Sequence, residues 1–136
     1  MKRPSFVIAI TALLALAAVA LAGCGVGSGG PESKISETTD TYLRSLSSGD
    51  ATMACAQLTD GAREKLGTSC IAGMKRIASA VGRDRLIKAA DRGAAISVDG
   101  SNGSATLAGL NDARIGLIRS GSNWLIESGY ELEGAS

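Results

Sequence analysis

The chain of 136 residues contains no histidine, and that absence closes off more chemistry than any residue present opens. Without imidazole there is no Ser-His-Asp triad, no histidine-based zinc site and no ordinary general base titrating near neutrality. Large rings are almost as scarce. Phe6 lies near the start, which leaves Tyr42, Trp124 and Tyr130 for everything that follows. A core must then be assembled from Leu, Ile, Val, Met and Ala, and a domain this small has little stability to spare. No dinucleotide or P-loop signature stands between a strand and a helix, because the glycine-rich GVGSGG follows an apolar run instead. Carboxylates are scattered beside basic residues or turns. No catalytic residue, no metal ligand and no cofactor is therefore expected.

What is present begins with MKR and an uncharged run from Ser5 to Ala22. A short basic head before an apolar segment is the layout of a secretory signal. Its last residues, Leu21-Ala22-Gly23-Cys24, resemble the lipobox of bacterial lipoprotein signal peptides, so residues 1–23 are read as a signal peptide and Cys24 as the site of lipid attachment. Small residues let a peptidase reach the backbone, and the Cys24 thiol is the nucleophile that takes a diacylglyceryl group. The rival is an uncleaved anchor, although about 18 residues barely cross a bilayer of about 30 Å. Either way the rest of the chain lies on the extracytoplasmic face of a cell membrane. Residues 24–32 then read as a flexible Gly/Ser tether, since about seven such residues span roughly 15 Å.

Removing residues 1–23 leaves 136 − 23 = 113 residues, one small domain and its tether. Lys2 and Arg3 leave with the signal, so the charge balance becomes 12 − 13 = −1, which gives no global case for a nucleic-acid partner. Three cysteines allow three pairings, but a lipidated Cys24 leaves Cys55 only Cys70. Outside the cytoplasm that pair should oxidise, closing a loop of about 15 residues that contributes roughly 3 kcal/mol.

From Glu32 to Ser47, Ile35, Thr38 or Thr39, Tyr42 and Leu46 recur every three to four residues, with Leu43 widening the stripe, which predicts an amphipathic helix. Asp50 can cap a second helix carrying Met53, Cys55 and Leu58 inward, and Thr59 or Asp60 can cap a third, AREKL. Ser69 caps a fourth, with Ile71, Met74, Ile77, Ala78 and Val81 as its stripe, and Gly82 stops it. A fifth runs from about Asp84 to Ala90. After Gly93 the period switches to two. AISV, SATLAGL, ARIGLIR and WLIES, separated by DGSNG, Asn111-Asp112 and SGSN, predict a four-stranded antiparallel meander. Helices first and strands after give an α+β domain over residues 33–130, with the helices on one face of a curved sheet and a loose tail at 131–136.

Two groups of side chains stand out. Between Asp60 and Gly93, eight basic residues against four acidic ones leave an excess of +4. Lys75, Arg76, Arg83, Arg85 and Lys88 are the candidates for contact with anionic headgroups or an anionic wall polymer; the plainer reading is the wet face of successive helices. Tyr42 and Trp124 are candidates to line a pocket between helix and sheet, or else are ordinary core aromatics. Asp40 should point away from Tyr42, because residues two apart on a helix do not share a face.

TDTYLRSLSSGD, ACAQLTDGAREKLGTSC and ARIGLIRSGSNWLIESG, within Ser33 to Tyr130, resemble the nuclear transport factor 2-like superfamily, in particular its small exported actinobacterial lipoproteins. The resemblance implies a cone-like sheet around a pocket used for a small ligand, for dimerisation or for no catalysis at all. It carries over no catalytic residue, since Asp40 and Tyr42 do not match the superfamily's enzymes by position. The expected function is that of a lipid-anchored binding or interaction module, with the membrane as partner through Cys24 and a small apolar ligand, a protein or a second copy as further partners. The alternatives are an isomerase or cyclase using a pocket near Tyr42, and a membrane- or wall-associated factor using the basic patch.

Overall fold

A computed structural model of the chain describes residues 29–133. Helix α1, Pro31–Ser48, begins directly after Gly30. Pro31 takes the first helical position, where its missing N–H would have had no partner in any case, and Glu32 faces the positive end of the helix dipole. Pro31, expected in the tether, is therefore helical, and Glu32 belongs to the helix that the periodicity predicts rather than to the tether. Gly49 ends α1 in the left-handed conformation, φ 79°, its N–H reaching the Ser45 and Leu46 carbonyls.

The next three helices are each started by a side-chain cap. The Asp50 carboxylate accepts from the Met53 N–H ahead of α2 (Ala51–Ala56), Thr59 from Ala62 ahead of α3 (Asp60–Lys65), and Ser69 from Ala72 ahead of α4 (Cys70–Val81). Helix α5, Arg83–Arg92, follows with only Gly82 between it and α4. Two inward assignments are overturned. Met53 is 46% and Ile71 42% exposed. In α2 the buried positions are Ala51, Ala54 and Cys55, and at 100° per residue Met53 falls on the opposite side. In α4 the buried arc runs through Gly73, Met74, Ile77 and Val81, and Ile71 lies roughly 100° from its middle.

The strands are β1 (Ala95–Asp99), β2 (Asn102–Leu107), β3 (Ala113–Ser120) and β4 (Asn123–Ser128), antiparallel in the order β1-β2-β3-β4. The chain is an α+β protein, helices followed by an open four-stranded meander. The AGL of SATLAGL is not strand but a 3-10 turn, Ala108–Leu110, which sinks Leu110 into the core. Asn111 and Asp112 then both turn through positive φ. A register shift after Gly116 leaves Glu127 of β4 without an opposite residue, a bulge that bends the strand.

The inner face of the sheet is set by the two-residue period: Ala105, Leu107, Ile115, Leu117, Trp124 and Ile126 all point in and are buried. Against them α1 lays Ile35, Thr39, Tyr42, Leu43 and Leu46. The approach is close enough that a Cβ on Gly103 would collide with Ile35. Helix α5 closes on the 3-10 turn in the same way, for a Cβ on Gly109 would stand 2.7 Å from the Ala89 Cα.

The two edges of the sheet differ. Beside β4 the link between α2 and α3 runs as a strap, with the Thr59 N–H donating to the Ile126 carbonyl (2.9 Å) and the Ile126 N–H to that of Gln57 (2.8 Å). Among the described residues β1 pairs only with β2. The expected loose tail is also tied down at its start: Leu132 is 3% exposed and its N–H bonds the Gly129 carbonyl.

Candidate functional site

Helix α1 is a ridge with a cleft on each flank, and the helical period sorts its side chains between them. Residues 35, 39, 42 and 46 point into the core. Ser33, Ser36 and Asp40 fall on one flank, facing α5 and the start of β1; Lys34, Thr38 and Thr41 fall on the other, facing α2 and β4. Glu37 stands on the crest and borders both clefts.

The cleft toward α5 has a volume of about 530 Å³ and is open to solvent. Its polar wall is Ser33, Ser36, Glu37, Thr39 and Asp40 of α1; its apolar floor is Leu43, Leu107, Ala90 and Ala94. The Asp40 carboxylate accepts both of its oxygens' bonds from the Arg44 Nε at 3.0 Å, and the same guanidinium reaches Asp91 of α5 at 3.3 Å, so one arginine ties the two helices together at the rim. Thr39 is the anomaly. It is 2% exposed and its hydroxyl has no hydrogen-bond partner. A threonine inside a helix ordinarily spends that hydroxyl on the carbonyl four residues back, and a buried hydroxyl left unspent costs about 1–3 kcal/mol.

The cleft toward β4, about 410 Å³, is lined by Lys34, Glu37, Thr38, Thr41, Gln57, Asn123 and Trp124. Its polar groups are largely spent: Thr38 donates to the Trp124 carbonyl at 3.1 Å and Lys34 to that of Ser122 at 3.0 Å.

Trp124, a core residue 3% exposed, borders this outer cleft rather than a pocket between helix and sheet, and Tyr42 lines none of those described. The Tyr42 ring is 0% exposed and its hydroxyl donates to the Tyr130 carbonyl at 2.6 Å. Burial, with smaller contributions from Glu131 and Tyr130, pushes that hydroxyl far above the usual tyrosine range, so it stays protonated. Asp40 does point away from Tyr42, toward Arg44. The space between first helix and sheet, where the pocket was expected, is filled by Ile35, Tyr42, Leu43 and the inward residues of the strands.

Cys55 and Cys70 are joined, with Cα atoms 6.1 Å apart. Cys24 lies outside the described residues, as do the segment expected to be a signal peptide and most of the expected tether. Lys75, Arg76, Arg83 and Lys88 are exposed and Arg85 is half-buried. They do not converge on one point: Lys75 and Arg83 border shallow grooves beside Gly49 at the far end of α1, and Arg76, Arg85 and Lys88 border none of those described. Among the described residues no three His, Cys, Asp or Glu side chains are grouped to hold a metal ion, and no helix is long and apolar enough to cross a membrane. Neither a protein-family model, nor a curated protein, nor a solved structure matches the chain.

Sequence reasoning missed Ser33, Ser36, Glu37 and Thr39 as a group. A signal was there: SKISETTDT, Ser33 to Thr41, places five hydroxyl residues in nine positions of one helix. Ser and Thr are mediocre helix formers because their hydroxyls compete for backbone groups, so their density on a helix needs a reason beyond helicity.

Proposed function

We propose that the chain is a lipid-anchored, extracytoplasmic binding module without catalytic activity, built on the nuclear transport factor 2-like variant of its α+β architecture. The observation that carries the binding reading is the filled interface beneath α1 together with the open, polar cleft on its flank. An isomerase or cyclase of the expected kind would work inside the cone, with Tyr42 as a donor beside a carboxylate. Here the Tyr42 hydroxyl is sealed and already committed to a main-chain carbonyl, which supports a ligand held at the outer flank instead.

Anchoring rests on Leu21-Ala22-Gly23-Cys24 and gains support from the Cys55–Cys70 bond, which suits a compartment outside the cytoplasm. Two acyl chains, each methylene contributing roughly 0.8 kcal/mol, give stable retention. Cys24→Ala should yield a larger, unlipidated product with altered membrane partitioning, read by membrane fractionation and intact mass. Unchanged size and retention would leave a plain uncleaved anchor instead.

The basic face is a second, weaker reading, as a contact for an anionic wall polymer. The tether joins α1 at Pro31, whereas Arg83 borders the groove beside Gly49 at the other end of the helix. Eighteen helical residues separate these ends by about 27 Å, several times the screening length of about 8 Å at physiological salt. A domain held at Pro31 therefore presents Arg83 away from the membrane more readily than toward it. Salt-sensitive sedimentation with an anionic polymer, and none with neutral polymer, is the expected result; equal sedimentation with both would remove this reading.

A further inference from the structure

Building on the reading of the chain as a binding module, we propose that the cleft between α1 and α5 is a site for a small aliphatic primary amine, its ammonium group held by Glu37, Asp40 and Thr39 and its alkyl stem laid on Leu43, Leu107, Ala90 and Ala94.

The charge follows from the lining. Two carboxylates border the cleft and none of its lining residues is basic. Arg44, which bonds Asp40 of the lining, is already shared between Asp40 and Asp91, so two carboxylates divide one guanidinium, while Lys34, which borders Glu37 on the other flank, donates to the Ser122 carbonyl there. Arg92, in the last turn of α5, is exposed and outside the lining. Glu37 has no ion-pair partner among the described residues. Glu37, Asp40 and Asp91 against Arg44 leave a local excess of negative charge, which attracts a cation and repels a phosphate or carboxylate.

The polar and apolar parts then select what kind of cation. An ammonium has three donors and no acceptor, and the wall offers acceptors at Glu37, Asp40, Ser33 and Ser36, with the unspent Thr39 hydroxyl beneath them. Thr39 is the independent sign that the cleft is unfinished: among the described residues only its hydroxyl and the Arg63 Nε are buried without a partner, and of the two only Thr39 lines this cleft. A bare metal ion would need a tighter cage of oxygens, and no three acidic side chains converge among the described residues. The floor of Leu43, Leu107, Ala90 and Ala94 would be idle under a metal ion but covers a short alkyl chain.

The test is a titration of the full chain, purified in neutral detergent at neutral pH, with pentylamine and, separately, with its neutral counterpart pentan-1-ol, followed by backbone amide shifts. Pentylamine is expected to move the amides of Ser36, Glu37, Thr39, Gly93 and Ala94 saturably, and pentan-1-ol to bind at least about tenfold more weakly, since hydrogen bonds to charged groups are the strong ones. Glu37→Gln, a substitution at an exposed position, should weaken pentylamine by about tenfold and leave the unfolding midpoint unchanged. Thr39→Val should weaken it severalfold with the fold retained. Equal binding of the alcohol, or an affinity unmoved by Glu37→Gln, would overturn the ammonium assignment while leaving a binding cleft in place. No shift in these amides with either probe would overturn the site itself, and Cys24→Ala fractionation would still decide the anchor independently.

Discussion

The two sides of α1 are built from one helix and finished differently. Toward α2 and β4 a cleft remains, but the molecule is cross-tied around it. The Cys55–Cys70 bond joins α2 to the start of α4, the 57–59 strap covers the β4 edge, and Tyr42 and Thr38 spend their hydroxyls on the carbonyls of Tyr130 and Trp124. Toward α5 and β1 there are fewer ties: among the described residues nothing pairs with the outer edge of β1, the cleft is the larger of the two flanking α1, and Thr39 keeps its hydroxyl. Tyr42 and Thr39 are three residues apart and both lie in the core, so burial alone does not explain why one is satisfied and the other is not. Each side leaves one buried polar atom unpaired, the Thr39 hydroxyl toward α5 and the Arg63 Nε of α3 beside β4, and only Thr39 lines one of the described clefts.

The largest test of that contrast removes the staple. Cys55→Ala with Cys70→Ala should lower the unfolding free energy by roughly 3 kcal/mol, read as a shift in the urea midpoint. If the two sides are independent, the amides lining the α5 cleft keep their positions in the spectrum. Cleft shifts as large as those in α2 would dissolve the division.

Tyr42→Phe comes next. It strips the donor from a buried carbonyl and should cost about 1–3 kcal/mol. It should also change the alkaline limb of stability. The folded hydroxyl titrates far above 10, whereas in the unfolded chain it ionises near about 10. Above that pH the unfolded chain loses a proton that the folded chain keeps. Stability is then complete below about pH 10 and falls above it, at up to about 1.4 kcal/mol per pH unit. Tyr130 adds in the same direction, its hydroxyl raised by burial and by Glu131. Tyr42→Phe should flatten the decline; a slope equal to that of the unsubstituted chain would place the titration elsewhere.

Thr39→Val is the smallest and most telling. It replaces an unsatisfied hydroxyl by a methyl of similar shape, so stability should stay within about 0.5 kcal/mol or rise. A loss of 2 kcal/mol or more, of the kind that follows a broken buried hydrogen bond, would show that Thr39 belongs to the cross-tied side after all.

How far the sequence could be read follows the range of the forces involved. The caps at Asp50, Thr59 and Ser69 were legible because each side chain bonds an N–H three residues on, and the meander because its turn residues lie between its strands. Cys55 and Cys70 were legible as a pair because they had few alternatives. Met53 and Ile71 were misplaced because their direction depends on which arc of a short helix meets its neighbours, which periodicity over six or twelve residues fixes poorly. Leu132 was lost in a polar tail that gave no local sign of a docking point. The cleft was invisible for a plainer reason: its two walls, Ser33 to Asp40 and Ala90 to Ala94, are about fifty residues apart, and only α5 lying beside α1 makes them one place.

The bond from Tyr42 to the Tyr130 carbonyl spans 88 residues, and it sets an order of events during synthesis. Helix α1 is made before the sheet it lies on, and the acceptor that completes its core-facing side follows 88 residues after Tyr42. Until then the helix has neither its partner carbonyl nor the sheet it lies on, and most of an amphipathic helix's stability comes from such packing. Residues 42–130 therefore set together, and α1 stays pliable until Tyr130 has followed it.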